Sequence, residues 1–465
     1  MDLLSPESAA AWCGGRWHGA RPAAPLRAVA VDSRAVGPGH LFLALPGARA
    51  DGHDFLATVV AAGAAAVVRT DFPADRLPAG GAFLRVDDVQ AALGRLAAGY
   101  RATLPARIVG IGGSVGKTTV KELVADLLAT VGRTARTAGN FNNEIGLPLS
   151  VLGVDGACAF AVIEAGISHP GEMAPLRDVL RPNAAAMTAI GPVHIEFFES
   201  VRAIAEEKAA LLDKLPADGF AVLDRDDPFF PVLRAHSSAP VVVLSLVDPA
   251  ADYFGEILPS GALRVREKAT AERAELPVPP PGGYMARNVL TAVAAARQCG
   301  AAWAAVAAAL AAFRPVGMRW AVQDVRGWTA VNDGYNANPV SVRAALAAFA
   351  PWPVSGRRFL ALGPMLELGG RAAAEHEAIG RAVAAGSWAG VALVPHQAAA
   401  EPAVQALATG LRAGGWPAEK TVVAPDAAAA ADWLRARLRP GDALLLKASR
   451  GVRIERVLES LKQES

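Results

Sequence analysis

The chain has 465 residues, a formal net charge of +2 at pH 7 and charged residues at 19%, a length beyond one compact core and therefore pointing to two or three domains. The near-neutral balance gives neither the basic stripe of a nucleic-acid binder nor a disordered acidic tail, so small-molecule partners and no nucleic acid are expected. The longest uncharged alanine-rich stretch, 301–313, falls short of the roughly 18 residues of a membrane span, and Asp2 and Glu7 stand where a secretory signal would be basic and then apolar; a cytoplasmic protein without membrane insertion is expected.

In chain order, the first hundred residues alternate short strands and helices, with "LRAVAVDSRAVGPGHLFLALPG" giving two strand candidates around a Gly-Pro-Gly turn. This predicts a small α/β domain over 1–103. From 104 to 314 apolar strands at 107–111, 159–163, 185–190 and 219–223 alternate with amphipathic helices, the pattern of a mainly parallel sheet covered on both faces. Such a sheet binds ligands outside the carboxyl ends of its strands. The segment 239–276 is less regular and reads as antiparallel, "PVPPPGGY" breaks the chain, one long helix is expected over 286–313, and "FRPVGMRW" reads as a hinge. From 315 to 465, strands at 329–332, 359–362, 391–394 and 443–446 again alternate with helices, giving a C-terminal Rossmann-like α/β domain. No repeat is visible, and disorder is expected only in the last few residues. Cys13, Cys158 and Cys299 form no C-x-x-C pair and read as reduced core thiols.

The chemistry starts at "IVGIGGSVGKTTVKE", residues 108–122. The strict P-loop formula fails because its first glycine falls on Ile111, but Gly113, Ser114, Val115, Gly116, Lys117 and Thr118 form a shorter version between a strand and a helix predicted at 120–130. Glycines let successive N–H groups converge, the helix N-terminus adds positive potential, a lysine reaches phosphates and a threonine hydroxyl holds Mg²⁺. A glycine-rich turn without a ligand has the same local pattern. "FAVIEAGIS" ends an apolar strand on Glu164, placed to coordinate Mg²⁺ beside the loop or to be a solvated strand end. His194 follows another strand and reads as a loop residue or, beside Glu164, a ligand; Lys208, after Glu206 and Glu207, reads as a solvated helix lysine. Asn140, Asn142 and Asn143 suit either helix capping or contacts to a sugar or phosphate. In the third domain Asp333, Tyr335, Asn336 and Asn338 share one strand-to-helix turn, while Arg319, Lys447 and Arg450 bring cations that meet phosphates if this domain closes.

Together these stretches resemble the Mur ligase family of ATP-dependent amide-bond formers, nearly end to end: "VDSRAVGPGHLFLALPGARADGHDF", "GGSVGKTTVKE", "GNFNNEIGLPLS", "EAGISHPGEM", "NDGYNANPVS", "GPMLELG" and "KASRGVRIE" in the family's order. The resemblance implies that Gly113, Ser114, Gly116, Lys117, Thr118 and Thr119 hold ATP phosphates, with Thr118 and Glu164 on one Mg²⁺ and His194 on a second. It also implies a carbamylated Lys208, adenine contact by Asn288, approach of Arg319 and Asp333 to the nucleotide, and a UDP-sugar on Asp32, Ser33 and Arg34. Asn140, Asn142 and Asn143 would lie on the acceptor side, and Asn336 and Asn338 near the incoming amine. The implied substrates are UDP-N-acetylmuramoyl-tripeptide and D-alanyl-D-alanine, joined by a monomer. Asn332, Pro364, Ala448, Tyr284 and Val115 depart from the family's usual residues. A family member with another amine or a folate-like acceptor, or a non-catalytic P-loop protein, are the alternatives.

Overall fold

The computed structural model describes residues 4–47, 50–279, 282–397 and 401–463. Asp2, residues 48–49 of the first-domain motif, two prolines of the break before residue 282 and the end of the tail lie outside them. The chain builds three sheets, each of α/β character and mainly parallel.

The first sheet runs in the order Arg16–Gly19, Ala82–Val86, Ala65–Arg69, His40–Leu43, Ala28–Ala30, with only the first pair antiparallel. The two strands around the Gly-Pro-Gly turn pair in parallel, so the intervening segment crosses over through a short turn at Ser33–Ala35. The helix Val89–Thr103 buries Val89, Ala92, Leu93, Leu96, Ala97 and Tyr100 on one face, a 3.6-residue period. That face fuses the first sheet to the second: Tyr100 Oη donates to Val154 O at 2.7 Å and Arg101 Nε to Leu180 O at 2.9 Å. One apolar core runs through both.

The central sheet has nine strands in the order Arg273–Leu276, Leu263–Glu267, Tyr253–Ile257, Val241–Ser245, Phe220–Asp224, Ala184–Met187, Arg107–Gly112, Phe160–Glu164, Thr134–Arg136. The antiparallel expectation for 239–276 is half corrected: Val241–Ser245 and Tyr253–Ile257 continue the parallel run, and only the last two pairings, on either side of Leu263–Glu267, are antiparallel. The single helix expected over 286–313 is two, Gly283–Gln298 and Trp303–Ala312. Alanine favours helix throughout, but Gly300 at φ +93° takes the left-handed turn that ends the first. Among the described residues no helix is long and apolar enough to cross a membrane. The three cysteines are free, and burial pushes the Cys13 thiol up to about 12 and that of Cys299 to about 11.

The third sheet runs Ala321–Val325, Trp328–Asn332, Ala443–Lys447, Arg358–Leu362, Gly390–Leu393, Thr421–Val423, antiparallel only at its first pair. Ile195 and Ile204 of the central segment pack into the core on one face of this sheet. The carboxyl ends of its central strands thereby face the P-loop edge of the second sheet.

Candidate active site

The strand Arg107–Gly112 delivers the chain into Gly113 (φ +119°) and Gly116 (φ +98°), and the helix Lys117–Leu128 starts directly after. A Cβ on Gly113 would stand 2.1 Å from Thr188 Oγ1, so only glycine lets the loop lie against the neighbouring strand. Ser114 N and Val115 N both donate to Ala189 O, at 3.0 and 3.1 Å, which pins the loop. The first N–H groups of the helix are then the donors turned to the cavity, where a helix N-terminus favours anions. Lys117 Nζ folds back onto Gly113 O (3.1 Å) and Ser114 O (3.2 Å). Burial lowers its pKa, with Glu164 opposing and Arg319 adding to the shift.

Glu164, 2% exposed, ends the strand Phe160–Glu164, next to the edge strand of the sheet. Its carboxylate accepts from Thr118 Oγ1 at 2.8 Å and from Asn142 Nδ2 at 2.7 Å, and its backbone N–H donates to Thr137 Oγ1 at 3.0 Å. From the third sheet's side, Arg319 donates to Thr118 Oγ1 at 2.8 Å while its guanidinium lies 3.6 Å from the Tyr335 ring centre, a cation held flat by an aromatic face. Lys447 Nζ pairs with Asp333 Oδ2 at 2.6 Å and donates to Asn336 O at 3.1 Å. His194, at φ +58°, brings Nδ1 to 2.5 Å from Glu367 Oε2 across the same junction.

These groups surround one cavity of about 660 Å³ between the second and third sheets, walled by Lys117, Thr118, Glu164, Asn288, Arg319 and Asp333, with Ser114, Gly116, Thr119 and His194 also on its surface. A smaller cavity of about 220 Å³ adjoins it at Asn140, His194, Asn336 and Asn338. The three asparagines divide: Asn142 holds Glu164, Asn140 faces both cavities, and Asn143 Oδ1 caps the helix Gly146–Leu152 by accepting from Gly146 N at 2.9 Å. Asn338 is a cap as well, in a capping box with Ser341 that starts the helix Pro339–Phe349. Asp32, Ser33 and Arg34 form an exposed turn away from both cavities; Asp32 accepts from Arg34, which holds its carboxyl down to about 2. Tyr284 is a cavity wall with Trp320 against it, while Asn332 turns inward to accept from Gly334 N at 3.0 Å.

Lys208 corrects the sequence expectation. It is 1% exposed, and its Nζ has no hydrogen-bond partner among the described residues. Burial pushes its pKa well below the usual lysine value, Lys117 adds to this, and Glu207 and Glu172 oppose it. A signal was present: Ile204, Ala205, Lys208 and Ala209 share the buried stripe of the helix Val201–Ala209, whereas the two glutamates drew attention to solvent. Sequence reasoning also missed Arg287, a cavity wall paired with Asp224, and gave no role to Glu367, although it lies in the quoted "GPMLELG" stretch.

Gly116 offers a direct test of the cradle. An added Cβ would meet Asn288 Oδ1 at 2.7 Å on a backbone at φ +98°. Gly116→Ala is expected to raise KM for nucleotide about tenfold through that strain and the shifted asparagine, measured by steady-state kinetics across nucleotide concentration.

The first, middle and C-terminal parts of the chain match three family patterns: "Mur ligase family, catalytic domain" over residues 25–101, "Mur ligase middle domain" over 111–296, and "Mur ligase, glutamate ligase domain" over 318–450. A UDP-N-acetylmuramoyl-tripeptide--D-alanyl-D-alanine ligase of Mycobacterium bovis is 38% identical over 470 aligned positions, covering 93% of this chain and 91% of that protein. Among solved structures, MurF from Acinetobacter baumannii superposes with a TM-score of 0.87 at 26% identity, covering all of both chains. A MurF ligase from Thermotoga maritima in complex with ADP superposes at 0.79 with 28% identity, covering 94% of this chain and 97% of its own.

Proposed function

The chain belongs to the Mur ligase family, and on that premise we propose that it joins D-alanyl-D-alanine to UDP-N-acetylmuramoyl-tripeptide at the expense of ATP, in peptidoglycan precursor synthesis. The observation carrying this is the end-to-end match to ligases of that name, combined with a phosphate-type loop that faces the third sheet's cations across one cavity. The substrate carboxylate attacks the γ-phosphorus, an O–P bond forms, and the bond to ADP breaks. The dipeptide amine then attacks the acyl carbon, phosphate leaves with the C–O pair, and the amine gives up a proton. Both steps concentrate negative charge where Lys117, the helix N-terminus and Arg319 converge, and oriented cations there are worth more than in water.

Thr118 and Glu164 fit Mg²⁺: they are oxygen donors 2.8 Å apart beside the cradle, and Mg²⁺ is commonly held by one or two carboxylates with substrate phosphates. A second ion would use His194 and a carbamate on Lys208. A carbamate would add oxygen donors of the kind Mg²⁺ takes. Bound Mg²⁺ polarises phosphate oxygens and neutralises their charge.

In this proposal residues 1–103 take the sugar nucleotide through Asp32, Ser33 and Arg34, 104–314 take ATP with Asn288 near the base, and 315–465 bring the dipeptide past Asn336 and Asn338 by closure. The protein acts as a monomer in the cytoplasm. Phosphate release in the presence of ATP and Mg²⁺ is expected only when both UDP-N-acetylmuramoyl-tripeptide and D-alanyl-D-alanine are present. Release with a different amine, or nucleotide binding without release, overturns the assignment.

A further inference from the structure

Lys121 is one turn past Lys117 on the P-loop helix, completely buried, and outside the cavity wall. Its Nζ donates to Thr137 O at 2.8 Å and Gly139 O at 3.3 Å and pairs with Glu122 Oε1 at 2.6 Å. The other Glu122 oxygen takes Arg136 at 2.7 Å, whose second nitrogen reaches Asp126 at 2.7 Å. Burial acts to raise the Glu122 carboxyl, yet Lys121 and Arg136 hold it below the usual range. The Glu122 carboxylate is thus held between Lys121 and Arg136.

A buried charge is costly to desolvate, and an apolar side chain of similar volume would fill the space with less penalty. What the ammonium adds is geometry. The two carbonyls it grips belong to the segment that leads into Asn140, Asn142 and Asn143. Thr137 Oγ1 in the same segment accepts the Glu164 backbone N–H, and Asn142 returns through Nδ2 to Glu164 Oε1 at 2.7 Å and through its carbonyl to Gly166 N at 2.8 Å. Both ends of Glu164, backbone and carboxylate, are thus set by a segment whose shape depends on Lys121.

We propose that Lys121 is a positioning residue for the ligase reaction: it clamps the 137–143 segment to the P-loop helix and so aims the Glu164 carboxylate at Thr118 and the phosphates, acting through Asn142. This rests on the proposed ligase activity. It separates Lys121 from Lys117, four residues earlier, which meets the substrate directly.

The test uses the full chain and begins with wild type; if two-substrate phosphate release is absent there, the ligase assignment has failed and not the clamp. With wild type active, Lys121→Met is expected to lower kcat by about 30-fold while KM for ATP stays within about threefold, because the cradle amides remain. Asn142→Ala is expected to give a comparable loss, and the double variant no more than the larger single loss, the signature of two residues on one path. If circular dichroism shows Lys121→Met unfolded, Lys121→Gln, which keeps donors without charge, is carried through the same cycle. Multiplicative losses in the double variant, a kcat within threefold of wild type, or a change confined to KM for ATP overturns the proposal.

Discussion

Lys117→Ala is expected to lower the two-substrate-dependent phosphate release by about 10³-fold or more, at the upper end of what removing one oriented charge from a water-poor site costs. Lys117 rests on two loop carbonyls, Gly113 O and Ser114 O. Those bonds exchange readily for phosphate oxygens, which carry full charge and make the stronger partner. Burial disfavours the ammonium, and anionic phosphates would offset that cost. Truncation leaves in place the glycine turn and helix start that shape the loop. The thermal midpoint should hence move little while turnover collapses, and a loss of less than tenfold would remove Lys117 from the mechanism. Lys117→Arg is no substitute: the compact ammonium seats on Gly113 O and Ser114 O, whereas arginine presents a planar fork of different geometry.

The parts of the site that could be read from sequence are those fixed by backbone rules. Gly113, Gly116 and Lys117 follow a strand and open a helix, and Glu164 ends an apolar strand; both patterns place their residues at the carboxyl edge of a parallel sheet before any contact is known. The same logic located Asp333 after Trp328–Asn332. The helix break at Gly300 was hidden because alanine propensity is the stronger local signal, and one left-handed residue decides the outcome. The strand direction after Ala239 was hidden for another reason. Parallel and antiparallel pairing share the same residue alternation, and the choice is made by crossovers elsewhere in the chain. The partners of Glu367 and Arg287 are legible only in three dimensions, since each lies far away in sequence. The family resemblance supplied Lys208, which the preceding Glu206 and Glu207 had disguised.

Removing Lys208 gives the second large expected effect. Lys208→Ala should lower turnover by about 10³-fold, and depleting carbon dioxide from the wild-type assay should lower it reversibly, with bicarbonate restoring it. The argument is acid–base chemistry. A carbamate forms when a neutral amine attacks CO₂, making an N–C bond and releasing one proton; an ammonium has no lone pair to use. Burial, reinforced by Lys117, holds the Lys208 pKa well below the usual lysine value, so near neutrality the reactive neutral form is far more populated than on an exposed lysine. The sign follows: at fixed CO₂ pressure, lowering pH protonates the amine and reverses the carbamate, so CO₂-dependent activity falls as pH drops and returns as it rises. The product is an anion in place of an amine that has no hydrogen-bond partner among the described residues. Lys117 is within electrostatic range to stabilise it, the same neighbour that disfavours the ammonium. Mass spectrometry under native conditions should find the added mass of CO₂ on wild type and not on Lys208→Ala. Activity indifferent to CO₂, together with a Lys208→Ala variant that turns over normally, would leave the buried amine as a packing residue and withdraw the second metal position with it.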